Sequence, residues 1–331
     1  MRSPRRRTVT AIAVAGLSVA ALGLSACGEA KVEKPGTAAS AAGAVQLQRC
    51  GRQIRLPAPA ARAVTLNQHA TELVLAMGLG DRLIGSSLLD NPVRPDLKPA
   101  YDKVRVLSEK AYPAKESLIG LRPDVLIGGY GPTFSEANGL PPDQFGSAGI
   151  ALFTIQCKGD ELTLDYLSQT VTALGTLFGD PAAAQRLNAT LTGRIGKVRE
   201  QVKNAAPVET MLFDSGGSAP TVGGGQGLAN TLLETAGGRN VFADLPKDWG
   251  ETSWEEVVRH DPEVIVVVDY LTSEATAAQK IDQLRGDPVL RDVRAVRNNR
   301  FVVIGLTGLG AISPRNAEVA QQIADALHPR R

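Results

Sequence analysis

Three histidines are the residues of this chain best suited to bind a transition metal directly: His69, His260 and His328. A zinc or manganese site needs several imidazole, thiolate or carboxylate ligands at one point. His260 precedes an Asp-Pro pair typical of a helix end, and His328 lies in the last residues of the sequence. Only His69, directly after a predicted strand, is expected to face a cleft, where it either touches a ligand or satisfies nearby backbone groups. No metal site is therefore predicted.

Two other motifs could carry chemistry. Asp214-Ser215-Gly216-Gly217 resembles the nucleophile loop of a serine protease, but that reaction needs a histidine base and a second aspartate in a fixed geometry. Gly223-Gly224-Gly225-Gln226-Gly227 could cradle a phosphate, yet it lacks the lysine of a phosphate-binding loop. A tight strand-to-helix turn whose backbone approaches a ligand explains the second motif better. We predict no catalytic residue and no cofactor.

Aromatic and polar side chains that follow predicted strands are the stronger candidates for ligand contact. Aromatic residues make up only 4% of the chain, so their presence after strand ends is informative. Each could instead pack in the core of a lobe or lie on the surface. With His69, the candidates for a binding cleft are Glu109, Tyr112, Tyr130, Trp249 and Tyr270.

The elements that position these residues are indicated by a repeat. Residues 116–128 read ESLIGLRPDVLIG, and 139 positions later residues 255–267 read EEVVRHDPEVIVV. Each copy predicts a short helix that opens with a glutamate, a proline break and a strand buried on both faces. The repeat indicates two α/β lobes of related architecture, with Glu116 and Glu255 at equivalent points.

The order of predicted elements supports the same division. Strands alternate with helices in the first lobe, which argues for a mainly parallel sheet. From Asp180-Pro181 to Asn204, apolar residues recur at steps of three and four with no proline to interrupt them. This pattern predicts one long, rigid helix between the lobes. The fold class is α/β, with two Rossmann-like lobes joined by that helix.

The first residues predict an export signal. Four arginines precede a 14-residue apolar run from Ala11 to Leu24, too short to span a bilayer as a helix. Leu24-Ser25-Ala26-Cys27 resembles a bacterial lipobox, whose cysteine carries the lipid, although an ordinary secretory signal is the alternative. Removal of residues 1–26 takes four arginines and no acids, so the formal charge changes from +2 to −2. Nothing then indicates a nucleic-acid partner.

Two further cysteines, Cys50 and Cys157, remain in the exported chain. Disulfides persist outside the cytoplasm, and these cysteines flank the first predicted lobe. A bridge between them would close a loop of about 100 residues and add roughly 4–5 kcal/mol in the chain-entropy treatment. We expect the disulfide; two free thiols are the alternative.

Several short motifs, in order, resemble the class III substrate-binding proteins of ABC importers. They are the lipobox, Cys50-Gly51, Val64-Thr65-Leu66 before Ala70-Thr71-Glu72-Leu73, Leu79-Gly80-Asp81-Arg82-Leu83-Ile84-Gly85, and the Arg122-Pro123-Asp124-Val125 and Asp261-Pro262-Glu263-Val264 segments. The resemblance covers residues 50 to 328. It implies a lipid-anchored, monomeric receptor on the extracytoplasmic face of a bacterial membrane. The ligand would be a ferric siderophore, or alternatively cobalamin, haem or another metal chelate.

The resemblance also implies a role for the repeated glutamates. Family members dock onto arginines of the permease dimer through one surface glutamate per lobe, and Glu116 and Glu255 match those positions. The other interpretation is that both carboxylates only favour helix N-termini. An exported α/β hydrolase is the rival from another class, but the sequence offers no nucleophile–base pair.

The predicted organisation is thus a signal peptide (1–26), Cys27 with a flexible tether (27–48), a first lobe (49–179), an interlobe helix (180–205) and a second lobe (206–331).

Overall fold

The computed structural model describes residues 43–158, 161–270 and 274–329. The expected export signal and Cys27 lie outside the described residues. The described chain begins with an antiparallel hairpin of two strands, β1 (Val45–Arg49) and β2 (Arg52–Leu56). In the described residues, no helix is both long enough and apolar enough to cross a membrane.

The hairpin corrects the predicted tether, because residues 45–48 already belong to a strand. Val45, Ile54 and Leu56 are buried and Leu47 is half-buried, while their strand neighbours Gln46, Gln48, Gln53 and Arg55 are exposed. This period of two is the pattern of a strand with one buried face. An Ala- and Gly-rich stretch without periodicity precedes β1, so the predicted tether extends past the point where the strand alternation begins.

The first lobe is a five-stranded parallel sheet with helices between its strands. Its strand order is β5-β4-β3-β6-β7, and every neighbouring pair is parallel. Its strands are β3 (Ala63–Thr65), β4 (Leu83–Ser87), β5 (Val106–Ser108), β6 (Val125–Tyr130) and β7 (Ala151–Gln156). Its helices are α1 (Gln68–Ala76), α2 (Lys98–Tyr101), α3 (Lys115–Gly120), α4 (Pro142–Ser147) and α5 (Leu164–Phe178).

A disulfide fastens the hairpin to this lobe. Cys50, in the turn between β1 and β2, bonds to Cys157 just after β7, with the two Cα atoms 5.1 Å apart. Beside it, the Arg49 guanidinium donates to the carbonyl of Thr154 at 3.0 Å and to the hydroxyl of Tyr166 at 2.9 Å. The hairpin is therefore held at the carboxyl end of β7, which is the edge where ligand crevices form in such sheets.

One long helix, α6 (Pro181–Val202), connects the lobes. Its 22 residues span roughly 33 Å, and the Asp180 carboxylate caps its first turn by accepting from the amide of Ala183. It packs on α5 of the first lobe, and its predicted apolar stripe is buried throughout: Ala184, Leu187, Leu191, Ile195, Val198 and Val202. Burial of a whole stripe favours a rigid connection over a flexible one.

The second lobe is a mixed sheet in which the central strands are parallel. Its order is β11-β9-β8-β12-β13, and β10 also pairs with β8. Its strands are β8 (Val208–Gly216), β9 (Pro220–Gly223), β10 (Gly238–Asn240), β11 (Trp249–Glu251), β12 (Val264–Asp269) and β13 (Phe301–Gly305). Its helices are α7 (Gly227–Thr235), α8 (Trp254–His260), α9 (Ala277–Gly286), α10 (Arg294–Arg297), α11 (Leu306–Leu309) and α12 (Asn316–Leu327), the last of which packs on α6. These elements confirm the predicted fold class.

The sequence repeat is also a structural repeat. Helices α3 and α8 occupy its two copies, and the strands β6 and β12 follow them. Just before each proline, Arg122 and Asp261 adopt the left-handed conformation, with φ of 48° and 45°. Leu118 and Val257, one at the same place in each helix, are fully buried. Glu116 and Glu255 are therefore equivalent in structure as well as in sequence.

Side chains tie the lobes together in addition to α6. The Asn91 amide donates to the carbonyl of Asp269 at 3.0 Å, and its oxygen accepts from the amide of Thr307 at 3.0 Å. A buried ion pair joins Glu72 on α1 to Arg315 before α12, with Arg315 Nε 2.7 Å from the carboxylate. These contacts fix how the two carboxyl edges face each other.

Candidate functional site

A cavity of about 730 Å³ lies between the two lobes. That volume falls in the range of small-molecule sites, roughly 300–1,000 Å³. The last residues of β6 and β7 and those that follow them form one wall, and the start of α7 with the residue before β11 forms the other. The lining residues are Tyr130, Gly131, Pro132, Gln156, Cys157, Lys158, Glu161 and Leu162 from the first lobe, and Gln226, Gly227 and Asp248 from the second.

Tyr130 is the predicted ligand residue that the structure places on this cavity. Burial raises the pKa of its phenol well above the usual range, and the nearby Asp90 carboxylate raises it further. The group is therefore a neutral phenol at physiological pH. It can donate a hydrogen bond to a ligand, but it is poorly suited to bind a metal as a phenolate.

His69 is placed differently from the expectation that it faces the cleft. Its ring is fully buried, packs edge-on against the Tyr130 ring with centroids 4.7 Å apart, and lies against Gly129. Burial lowers its pKa to about 4, so the imidazole is neutral. His69 lies in the first turn of α1, which begins at Gln68, and its ring points inward behind Tyr130. It supports the cavity wall rather than lining it.

The glycine-rich motif forms the predicted strand-to-helix turn, between β9 and α7. Gly227 has φ of 79°, a conformation that favours glycine. A side chain there would also collide with the Asp248 carboxyl group, because an added Cβ would lie 2.7 Å from it. The close approach brings Asp248 against the N-terminus of α7. Burial raises the pKa of this carboxyl group.

A second cavity, of about 670 Å³, lies in the second lobe at the tip of the β8–β9 turn. Tyr270, another predicted ligand residue, lines it. The Lys280 side chain, only 2% exposed, places its ammonium 4.7 Å from the centre of the Tyr270 ring and donates to the carbonyl of Val268 at 2.8 Å. Asp248, which lines the first cavity, precedes the three-residue strand β11, and Glu251, which lines the second, ends it, so the two residues lie about 10 Å apart along the chain.

The three other cleft candidates do not line either cavity. Glu109 is exposed, and Tyr112 is half-buried with its hydroxyl 3.4 Å from Asn67 and from Thr133. Trp249 packs partly against the core, between Asp248 and Glu251. The position of these residues after a strand correctly placed them at the edge of the sheet, but it did not predict where each side chain points.

The alternative chemistries find no support in the described residues. His260 packs on the Phe242 ring, and His328 lies 3.1 Å from the carbonyl of Gly237. No three histidine, cysteine or acidic side chains of the described ranges converge as a metal site would require. Ser215 donates to the neighbouring Asp214 carboxylate, while the three histidines contact Tyr130, Phe242 and the Gly237 carbonyl.

The repeated glutamates both lie in the first turn of a short helix. The Glu116 side chain is 73% exposed, with Lys115 Nζ 3.7 Å from its carboxylate. Glu255 is exposed, and its own backbone amide and the Ser253 hydroxyl hold its pKa below the usual range. Each helix precedes a parallel strand and runs back along it, so its N-terminus lies at the carboxyl edge of the sheet. Both glutamates are therefore placed at the edge where the lobes meet.

Five polar residues of the interlobe cavity were not predicted from sequence: Gln156, Lys158, Glu161, Gln226 and Asp248. Gln226 lies inside the glycine-rich motif, whose backbone was expected to approach a ligand. Lys158 directly follows Cys157 at a strand end, and that position was a usable signal. Asp248 could not be found in this way, because it comes before a strand and reaches the cavity through a long-range contact with Gly227.

Comparison with known proteins agrees with this architecture. Residues 64–306 match a family described as periplasmic binding protein. A vitamin B12-binding protein of Photorhabdus laumondii is 28% identical over 207 residues, which cover 62% of this chain and 70% of that protein. A periplasmic binding protein from Veillonella parvula superposes with a TM-score of 0.77 at 25% identity, covering 87% of this chain and 99% of that one.

A third comparison concerns the fold alone. The structure of an ABC-type Fe³⁺-hydroxamate transport system protein from Saccharomonospora viridis has a TM-score of 0.73 at 21% identity, over 86% of this chain and 99% of that one.

The two-lobed fold with its interlobe cavity defines a binding protein rather than an enzyme. The chain belongs to the periplasmic binding protein family, the extracytoplasmic substrate-binding components of ABC importers.

Proposed function

We propose that the protein is a lipid-anchored receptor that captures a ferric siderophore between its lobes and delivers it to an ABC permease. The observation that carries this proposal is the cavity of about 730 Å³ lined by both lobes. Its wall offers a neutral phenol and the amides of Gln156 and Gln226 as hydrogen-bonding groups. The buried His69 imidazole and the protonated Tyr130 phenol are poorly suited to bind a metal, so the metal stays coordinated by the chelator.

Cobalamin is the second candidate ligand. It is favoured by one observation, the 28% identity to a vitamin B12-binding protein of which the chain covers 70%. A corrinoid also carries its own metal ligands and needs only a polar, roomy cleft. The two candidates differ in mass and in metal, so one measurement separates them.

Native mass spectrometry of the purified protein, alone and after mixing with a ferric trihydroxamate or with cyanocobalamin, tests this proposal. We expect one chelate per chain, retained at near-equal concentrations of protein and ligand. Retention of the ferric complex supports the siderophore assignment, and retention of the corrinoid alone would replace it with the second candidate.

The geometry of Glu116 and Glu255 supports docking to the permease. Tyr130 at the end of β6 lines the cavity, and Asp269 at the end of β12 contacts Asn91 of the other lobe. The two helix N-termini at these edges therefore flank the cleft, one on each lobe. Because α6 and the interlobe side-chain contacts hold the lobes together, the spacing of the glutamates would change little on ligand binding. A rigid pair of carboxylates suits two matching arginine pockets.

The anchor can be tested separately from the cleft. The lipid would be attached through the sulfur of Cys27, and no other residue offers this attachment. Cys27→Ser should therefore yield unprocessed or released protein. We expect cell fractionation to show wild type in the membrane pellet and the mature variant in the soluble fraction. Cys50→Ser serves as a control for loss of a cysteine, and it should stay with the membrane. Equal membrane retention of processed Cys27→Ser would refute the lipid anchor.

A further inference from the structure

The charged groups around the interlobe cavity are unbalanced. Among the described lining residues, one ammonium, that of Lys158, stands against two carboxylates, those of Glu161 and Asp248. A third carboxylate, Asp90, lies behind the cavity wall close enough to Tyr130 for its charge to raise the phenol's pKa. The remaining lining residues are neutral. The described surface around a ligand therefore carries more negative than positive charge.

Within the described part of the chain, no cation compensates Asp248 or Asp90. Asp248 is exposed to the cavity, whereas Asp90 is partly buried, and this burial raises the pKa of Asp90. Asp90 Oδ2 is buried and accepts no hydrogen bond from the described residues. A carboxylate in this condition is stabilised by an incoming cation and destabilised by an incoming anion. A cationic ligand group would relieve this cost at Asp90, and it would meet the exposed carboxylates of Asp248 and Glu161 directly.

Arginine is missing from the described lining of both cavities. Arginine is the residue best suited to bind carboxylate or other planar anionic groups, because its planar fork donates two parallel hydrogen bonds. In the second cavity, Lys280 is already engaged by the Val268 carbonyl and the Tyr270 ring, while Glu251 and Glu274 add negative charge. The described lining of neither cavity therefore offers the paired cationic groups that bind an anionic chelate well.

We propose that this cleft selects metal chelates of zero or positive net charge, and that Asp248 and Glu161 receive a cationic group of the ligand. The inference rests on the proposed function and narrows its ligand class. Ferric trihydroxamates, above all those that bear a free ammonium group, fit the charge of the cavity. Ferric tricatecholates, which are polyanions, and haem, with its two carboxylates, do not.

The test is a calorimetric titration that measures the affinity of the protein for ferric chelates of different charge. The first probe is the ferric complex of a linear trihydroxamate with a free terminal ammonium, and the second is the same complex with that amine acetylated. The third is a ferric tricatecholate. We expect the ammonium complex to bind at least about tenfold more tightly than the acetylated one, and the tricatecholate to bind at least about 100-fold more weakly. Added salt should reduce the first difference.

Substitutions test whether Asp248 and Glu161 cause the preference for the ammonium complex. Asp248→Asn should remove most of the tenfold difference between the ammonium and acetylated complexes, and Glu161→Gln should reduce it. Glu200→Gln, which removes an exposed charge from α6, is the matched control and should leave the difference unchanged.

These measurements separate a failure of charge selection from a failure of chelate binding. Preference of wild type for the tricatecholate, or full charge preference in Asp248→Asn, would overturn the charge selection while leaving a chelate receptor intact. If the folded protein binds none of the three ferric complexes and no cobalamin, the proposed function itself fails, and the inference fails with it.

Discussion

Replacing both Glu116 and Glu255 with alanine should lower uptake of the metal chelate by at least about tenfold while leaving its binding to the receptor unchanged. Each carboxylate is exposed and makes few contacts within the protein. In a desolvated contact with a permease arginine, however, loss of the carboxylate leaves the partner charge unpaired, which is costly. Because one glutamate lies on each lobe, the double change removes both attachment points.

Uptake is measured with radiolabelled chelate in cells that express only the variant, and affinity is measured on purified protein. Ligand affinity should stay within about twofold of wild type, because exposed substitutions outside the cleft have small effects. A double Glu200→Ala, Asp292→Ala variant removes the same charge from exposed positions elsewhere and should transport normally. Unimpaired uptake by the docking variant would show that the repeated glutamates only stabilise the N-termini of their helices. Weakened chelate binding would instead place them in the cleft.

Glu72→Gln should destabilise the protein by about 3 kcal/mol or more, because it leaves the Arg315 guanidinium without its buried partner. The Glu72 side chain is 1% exposed and that of Arg315 is 17% exposed, so water cannot replace the lost contact fully. This ion pair joins α1 of the first lobe to the start of α12 in the second. Its loss therefore weakens the interlobe contact as well as the fold.

The free energy of unfolding is measured by urea denaturation. The control Glu200→Gln breaks an exposed pair with Lys203 and should change stability by less than about 0.5 kcal/mol. The double variant Glu72→Leu, Arg315→Met should recover much of the stability, because apolar side chains of similar size often replace a buried ion pair well. A loss below about 1 kcal/mol in Glu72→Gln would show that the pair is dispensable for lobe packing.

The sequence predicted those features that depend on local periodicity. Every residue of the apolar stripe predicted for α6 is buried in the structure. Continuous aliphatic runs likewise identify β6 and β12. The repeat placed Glu116 and Glu255 at equivalent positions, which the left-handed conformations of Arg122 and Asp261 support. These features are fixed by neighbours within a few residues, so one sequence is enough to indicate them.

The cavity was less predictable because contacts between distant segments build it. His69 follows a strand as expected, but it lies in the first turn of α1, which buries its ring behind Tyr130. Asp248 reaches the cavity only because Gly227 leaves room for its carboxyl group. The direction of a side chain at a sheet edge depends on what packs beside it, and periodicity carries no information about that.

The central claim is that the interlobe cavity binds a metal chelate, and native mass spectrometry of a blocked variant tests it most directly. Gln226 is exposed at the cavity wall, so Gln226→Trp should fill the space without disturbing the fold. We expect wild type to retain one ferric trihydroxamate per chain and the variant to retain none, with equal thermal stability for the two proteins. Equal retention by both proteins would place the ligand elsewhere, and retention of no chelate by wild type would contradict the account.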